Sequence, residues 1–117
     1  MTVMVVDDST EMRGLIRDLV TPWADQVVEC GDGAECVARF GEVHPDWTVM
    51  DVRMPVLDGF GATRLIQTAH PGAKILLVTQ SPSEAFRKAA ADSGAVGLLA
   101  KDDLHRVSEI LLQHRAA

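Results

Sequence analysis

The fold of this chain is decided by the stretch Pro45-Asp46-Trp47-Thr48-Val49-Met50-Asp51-Val52-Arg53-Met54-Pro55. Residues 47–50 are mostly apolar and include the aromatic and β-branched types that fill buried strands. Asp51 stands at the carboxyl end of this predicted strand. In open parallel α/β sheets, ligands bind in the crevice beyond the carboxyl ends of the strands. Asp51 is therefore a candidate site residue, and the remaining question is which residues lie around it.

Composition limits the architecture and the partners. The length of 117 residues suits one domain with a hydrophobic core, so we expect a single domain over residues 1–117. No apolar run approaches the roughly 18 residues of a membrane helix, and a strand-like segment begins at Thr2, which leaves no room for a signal peptide. We therefore predict a cytoplasmic protein without a membrane partner. The net charge of −6 argues against direct nucleic-acid binding by this chain.

Cysteine and histidine spacing offers no separate metal site. Cys30 and Cys36 match no metal or redox motif and lie in apolar patterns, so we expect two small buried hydrophobic side chains. The histidines form no pair with convincing ligand spacing, and we expect them at the surface. They are His44, His70, His105 and His114.

Short apolar runs alternate with segments of helical periodicity along the whole chain. The predicted strands are 2–6, 26–30, 47–50, 74–79 and 96–100. The predicted helices are one capped by Asp8 or Ser9 and limited by Pro22, then 34–40, 61–69, 83–93, and a last one opened by Asp102 or Asp103. Their predicted inward positions are Met12, Leu15, Ile16, Leu19, Val37, Phe40, Leu65, Ile66, Leu104, Val107, Ile110 and Leu111. Strict alternation predicts an α/β fold with parallel strands, right-handed crossovers and helices on both faces.

In such a sheet the carboxyl ends of the strands share one edge, and five polar residues follow or end these strands. They are Asp7, Asp8, Asp51, Thr79 and Lys101. Clustered carboxylates repel one another unless a cation or protons intervene, and oxygen ligands completed by water suit Mg²⁺. A lysine supplies a point charge for a phosphate oxygen, and a threonine supplies a rotatable donor. An aspartate can then act as nucleophile and carry a phosphoryl group. We predict a magnesium-dependent phosphoryl-transfer site.

Each of these residues also has an ordinary structural explanation. Asp8 could be only a helix cap, which is a common position for aspartate. Thr79 could be structural, and Lys101 could be a solvated charge or the partner of one acid. The convergence from four separate strands favours a functional site over these independent explanations.

The same residues resemble a known family. In order and spacing, they are similar to the receiver domain of two-component response regulators. The residues that carry the similarity are the pair Asp7-Asp8, the run Met50-Asp51-Val52-Arg53-Met54-Pro55-Val56-Leu57-Asp58-Gly59, Thr79 and Lys101. The similarity covers the whole chain. It implies a flavodoxin-like, doubly wound (βα)5 fold with strand order 2-1-3-4-5, the order found in chemotaxis receivers. It also implies a phosphoacceptor signalling domain rather than an enzyme.

The resemblance implies a role for each acid. Asp51 would accept a phosphoryl group from a sensor histidine kinase, a phosphotransfer protein or a small donor. Asp8, the Asp51 carboxylate and the backbone carbonyl of Arg53 would bind Mg²⁺. Asp7 would act through a water on the metal.

It also implies how the switch works. Lys101 would pair with the Asp51 carboxylate and later with the phosphoryl oxygens, while Thr79 would swing toward the phosphoryl group. The movement would bias the face made by the fourth helix, fifth strand and fifth helix. That face would bind an unidentified downstream protein or a fused output domain.

Three positions depart from the common pattern of the family. The residue three before the lysine is usually Tyr or Phe but is Leu98 here, so the output face would change little or use another reporter. The residue after the threonine is usually Ala or Gly but is Gln80, which could narrow access to the phosphoryl group, hydrogen-bond it, or face solvent. The lysine is usually followed by Pro but is followed by Asp102, so we expect a trans peptide bond.

Two other functions remain alternatives. A phosphorylation-independent docking domain would keep the fold with a degenerate switch, as Leu98 and Gln80 allow. A haloacid-dehalogenase-like phosphatase would need a second acid two residues after the nucleophile and a cap domain, but position 53 is Arg and the chain is short. The sequence fits either a stand-alone regulator or part of a longer one.

Overall fold

The five strands of the chain form one parallel sheet in the order β2-β1-β3-β4-β5, in a computed structural model that describes residues 1–113. The strands are β1 (Thr2–Val6), β2 (Gln26–Cys30), β3 (Trp47–Asp51), β4 (Ile75–Thr79) and β5 (Gly97–Ala100). The helices are α1 (Thr10–Val20), α2 (Gly33–Val43), α3 (Gly59–Ala69), α4 (Glu84–Ser93) and α5 (Val107–Gln113). The predicted flavodoxin-like fold is confirmed. Among the described residues, no helix has the length and apolar character needed to cross a bilayer.

Polar side chains define where the helices begin. Of the two candidates for α1, Ser9 is the cap, because its hydroxyl accepts a hydrogen bond from the Met12 amide at 3.2 Å. Asp32, Asp58 and Ser83 cap α2, α3 and α4 in the same way. These caps satisfy amides that no helical carbonyl can reach, so the first turns are stable where the chain leaves the sheet.

The prediction for the last helix was wrong at its start. Residues Lys101–Arg106 form a 3₁₀ segment that begins without a side-chain cap, and Asp103 departs from helical dihedral angles. Neither Asp102 nor Asp103 therefore opens a regular α-helix. The tighter 3₁₀ geometry is common as a connector, and here it leads from the sheet edge to α5. The predicted position of His114 lies outside the described residues.

The sheet is buried on both faces, which explains why its central strands are apolar along their whole length. Successive residues of a strand point to opposite faces, so Met50 packs toward α2, α3 and α4 while Val49 packs toward α1 and α5. Cys30 and Cys36 are buried and free, as predicted. Burial raises the pKa of Cys36 to about 12, so that thiol is protonated at neutral pH.

Two predicted core positions are exposed instead. Leu15 and Leu65 each keep 50% of their surface accessible. In α1 the inward stripe runs through Ile16 and Val20, and in α3 the neighbouring Ile66 is buried. Adjacent helical residues are rotated by about 100°, so both members of a Leu-Ile pair do not face the sheet equally.

Candidate functional site

The carboxyl edge of the sheet brings the five predicted site residues to one cavity of about 410 Å³. Asp51 and Thr79 are the last residues of β3 and β4, while Asp7 and Lys101 directly follow β1 and β5. Asp8 completes the set. Ser9, Arg53, Gln80 and Ser81 also line the cavity. The parallel topology is the reason that residues so distant in sequence meet here.

Three carboxylates form the acidic part of the cavity. Oxygen atoms of Asp7, Asp8 and Asp51 lie within 4.8 Å of one another. Asp7 and Asp51 are buried, whereas Asp8 is exposed. Exposed Asp8 and buried Asp51 could therefore both supply carboxylate oxygens to a cation bound in the cavity.

Asp7 shows that this cluster suits a cation. One carboxylate oxygen accepts a hydrogen bond from the Ser9 amide at 2.9 Å. The other is buried and has no hydrogen-bond donor among the described residues, although the Lys101 ammonium lies 3.4 Å away. A buried carboxylate oxygen without a donor is unfavourable. A hard divalent cation, directly or through its water, would relieve it, and the oxygen-only donor set fits Mg²⁺.

Lys101 lies between two acids. Its ammonium is 3.4 Å from an oxygen of Asp7 and 3.4 Å from an oxygen of Asp51, and its side chain is only 12% exposed. Burial and the charge of Asp7 raise the pKa of Asp51, while Lys101 and a backbone hydrogen bond from Arg53 act in the opposite direction. The cavity therefore holds an excess of negative charge that one lysine does not neutralise.

Thr79 is buried at the end of β4, and its hydroxyl accepts a hydrogen bond from the Ser81 amide at 3.3 Å. Gln80 is exposed and also lines the cavity. Leu98 is half-buried in β5 and packs against the core cluster on the α4 side of the sheet. The peptide bond between Lys101 and Asp102 is trans, as predicted.

Two relevant residues were not identified from the sequence. Ser81 lines the cavity, and its signal was only its position two residues after Thr79. Phe86 of α4 lies near the cavity wall, with its ring centroid 5.4 Å from the guanidinium carbon of Arg53. Helical periodicity alone does not show which loop a helix residue faces. Arg53 itself is exposed beside the site, as expected.

Comparison with known proteins agrees with this geometry. The family model of the response regulator receiver domain matches residues 3–111. Over 99 residues the chain is 36% identical to chemotaxis protein CheY of Halobacterium salinarum, covering 85% of this chain and 82% of that protein. The chain belongs to the response regulator receiver domain family. Receiver domains are phosphoryl-accepting signalling domains of two-component and chemotaxis systems and are generally non-enzymatic.

Solved receiver structures share the architecture. The response regulator domain of Thermotoga maritima CheB superposes with a TM-score of 0.82 at 32% identity, covering 97% of this chain and 91% of that one. Vibrio cholerae chemotaxis protein CheY4 superposes with a TM-score of 0.88 at 25% identity, covering 96% of both chains. Receiver domains bind Mg²⁺ at an acidic pocket and interact with histidine kinases and phosphotransfer proteins.

Proposed function

We propose that Asp51 is the phosphoacceptor of this receiver domain and that its phosphorylation switches the face formed by α4, β5 and α5. The observation that carries the proposal is the position of Lys101, with its ammonium 3.4 Å from both Asp51 and Asp7 at the mouth of the acidic cavity. A cation held between two acids at this point can pass from a carboxylate to a phosphoryl oxygen without leaving the site.

The reaction is a transfer between a phosphohistidine and a carboxylate. An oxygen of Asp51 bonds to phosphorus while the phosphorus–nitrogen bond of the donor breaks, and the electron pair of that bond stays on the imidazole. The product is an acyl phosphate on Asp51. Lys101 moves from carboxylate to phosphoryl oxygen and stabilises the added charge.

The acids prepare the site for this transfer. We assign Asp8, the Asp51 carboxylate and the backbone carbonyl of Arg53 as the residues that hold Mg²⁺, with Asp7 acting through a water. Bound Mg²⁺ supplies positive charge that offsets the phosphoryl oxygens. The buried Asp7 oxygen supports this assignment, because among the described residues it has no hydrogen-bond donor and only the Lys101 ammonium, 3.4 Å away, offsets its charge.

Thr79 connects the site to the loop before α4. Its hydroxyl now accepts from the Ser81 amide, so rotation toward a phosphoryl oxygen would release that amide and draw the loop inward. The loop enters α4 after only a few residues, at the Ser83 cap. Movement of Thr79 would therefore act on the position of α4.

Phosphorylation is tested by intact mass after incubation with acetyl phosphate and Mg²⁺. We expect one phosphoryl adduct on the wild type and on Asp18→Asn, an exposed acid of α1, and none on Asp51→Asn. Chelation of Mg²⁺ should abolish the adduct. An adduct that persists in Asp51→Asn would reject Asp51 as the phosphoacceptor.

A phosphorylation-independent docking domain is the second candidate, and Leu98 is the observation in its favour. Its half-buried aliphatic side chain packs against the core and has no ring to rotate or polar tip to expose. Failure of every donor to modify the folded wild type would support docking. Steady release of phosphate from many substrates would instead support a hydrolase. Arg53 argues against a hydrolase, because a guanidinium is a poor general acid.

A further inference from the structure

Arg53 lies between two cavities. The residue lines the acidic cavity and also a neighbouring cavity of about 690 Å³. That second cavity is bounded by the loop after β3 and by α4, and Phe60 and Phe86 form its aromatic wall. A hydrogen bond from the Arg53 backbone reaches Asp51. One residue therefore touches the proposed phosphoacceptor through its main chain and α4 through its side chain.

The contact of Arg53 with α4 is a weak one. Its guanidinium carbon lies 5.4 Å from the centroid of the Phe86 ring, within the range of a cation–π interaction. Among residues 1–113, no carboxylate lies within ion-pair distance of this guanidinium. At an exposed position such a contact is weaker than paired, charge-assisted hydrogen bonds to an anionic group. A phosphoryl group nearby would compete successfully for the arginine.

Phe86 is placed so that a change at its ring would affect α4. It lies in the first helical turn, where its amide donates to the Ser83 hydroxyl at 3.1 Å. Its ring also meets Phe60 of α3 edge to face, with centroids 5.4 Å apart. The aromatic ring that could respond to the site is therefore on α4, whereas the usual position in β5 holds Leu98.

We propose that Arg53 couples the charge on Asp51 to α4 by exchanging its partner. While Asp51 is unmodified, the guanidinium rests on the Phe86 ring; when Asp51 carries a phosphoryl group, the guanidinium moves to the phosphoryl oxygens and uncovers that ring. This coupling rests on the proposed function of Asp51. It supplies a connection to the output face that does not need an aromatic residue at position 98.

The exchange makes a reciprocal prediction about affinity. If the Phe86 ring competes with a phosphoryl mimic for Arg53, then Phe86→Leu should tighten the binding of beryllofluoride with Mg²⁺, by about two- to fivefold for an exposed cation–π contact. In an Arg53→Gln background the same substitution should change the affinity little. Equal tightening in both backgrounds would overturn the exchange.

Amide chemical shifts provide the structural readout. In the wild type, beryllofluoride with Mg²⁺ should shift the amides of 84–88 in α4. In Arg53→Gln these shifts should fall by at least half, while those of Thr79 and Lys101 persist and show that the mimic is bound. Arg87→Gln, which removes an exposed arginine from the same turn, is the matched control and should behave as wild type.

The two proposals fail differently. Absence of beryllofluoride shifts at Thr79 and Lys101 in the folded wild type would overturn the proposed function and the coupling with it. Normal shifts at those residues together with unchanged α4 shifts in Arg53→Gln would overturn the coupling alone. Arg53 is exposed, so its substitution leaves the core intact, and a thermal melt of each variant checks the fold.

Discussion

Replacing Arg13 by Met should destabilise the protein far more than replacing Arg17 by Met, although both arginines lie on α1 and contact the same glutamate. Arg13 donates to the backbone carbonyl of Asp7 at 2.7 Å and to Glu29 at 3.1 Å, and its side chain is 18% exposed. The Arg17 side chain is 46% exposed, and within residues 1–113 its ion pairs are with the side chains of Glu29 and Asp18. Of these two arginine side chains, that of Arg13 alone is bonded to the loop that carries the acids.

The expected size follows from these contacts. A hydrogen bond from a charged donor to a largely buried carbonyl stabilises by about 1.5–3 kcal/mol. The pair with the half-buried Glu29 adds about 0–1 kcal/mol, because Glu29 keeps Arg17 as a second partner. We expect Arg13→Met to lower the free energy of unfolding by about 2–3 kcal/mol. For Arg17→Met we expect a small change that disappears at high salt.

Urea unfolding measures both variants. With a slope of about 1–3 kcal/mol/M, the midpoint of Arg13→Met should fall by roughly 0.7–3 M. Arg13→Lys keeps the charge but loses the paired geometry, so it should recover only part of the loss. Mg²⁺ titration at a temperature where all variants are folded should show weaker binding in Arg13→Met alone. Equal urea midpoints for the Arg13→Met and Arg17→Met variants would refute the reasoning.

Three further predictions concern single residues. Thr48→Val should stabilise by about 1 kcal/mol in urea unfolding, because the fully buried Thr48 hydroxyl has no hydrogen-bond partner among the described residues; a loss of stability would reveal a partner. Val56→Asn should increase stability by about 0.5–1 kcal/mol and so raise the thermal midpoint, because the exposed Val56 has a φ of 69° that β-branched residues disfavour. An unchanged midpoint would argue against backbone strain at this position. Since the folded pKa of Asp51 is raised, its ionisation opposes folding, and the contribution of its protonated form is lost as the pH rises through that pKa. Asp51→Asn should therefore be more stable than wild type at pH 7 without Mg²⁺, and this advantage should shrink as the pH falls toward 4; a difference independent of pH would contradict it.

Sequence pattern was sufficient for the parallel α/β architecture and for the composition of the acidic edge, whereas the strand order followed from the family resemblance. Alternating strand and helix patterns leave parallel strands with crossovers as the economical arrangement, and that arrangement alone brings residues such as Asp7, Asp51 and Lys101 to one side. The motif spacing then pointed to the receiver family, which the family match confirms. These two conclusions do not depend on the positions of individual side chains.

Packing decided what periodicity left open. Period alone did not show that Ile66 rather than Leu65 would face the sheet, since that depends on how α3 rotates against its neighbours. The same holds for the connection after β5, where a 3₁₀ segment replaced the expected regular helix.

The chain by itself determined which groups meet at the sheet edge, because strand direction follows from local pattern and connection length. Only the tertiary structure decided how they meet. It buries an Asp7 oxygen with no hydrogen-bond donor among residues 1–113, places Lys101 between two acids, and brings Phe86 close to Arg53. These depend on distances between elements far apart in sequence, which are set by the packing of helices on the sheet and by side-chain rotamers. Local sequence carries no direct record of such distances.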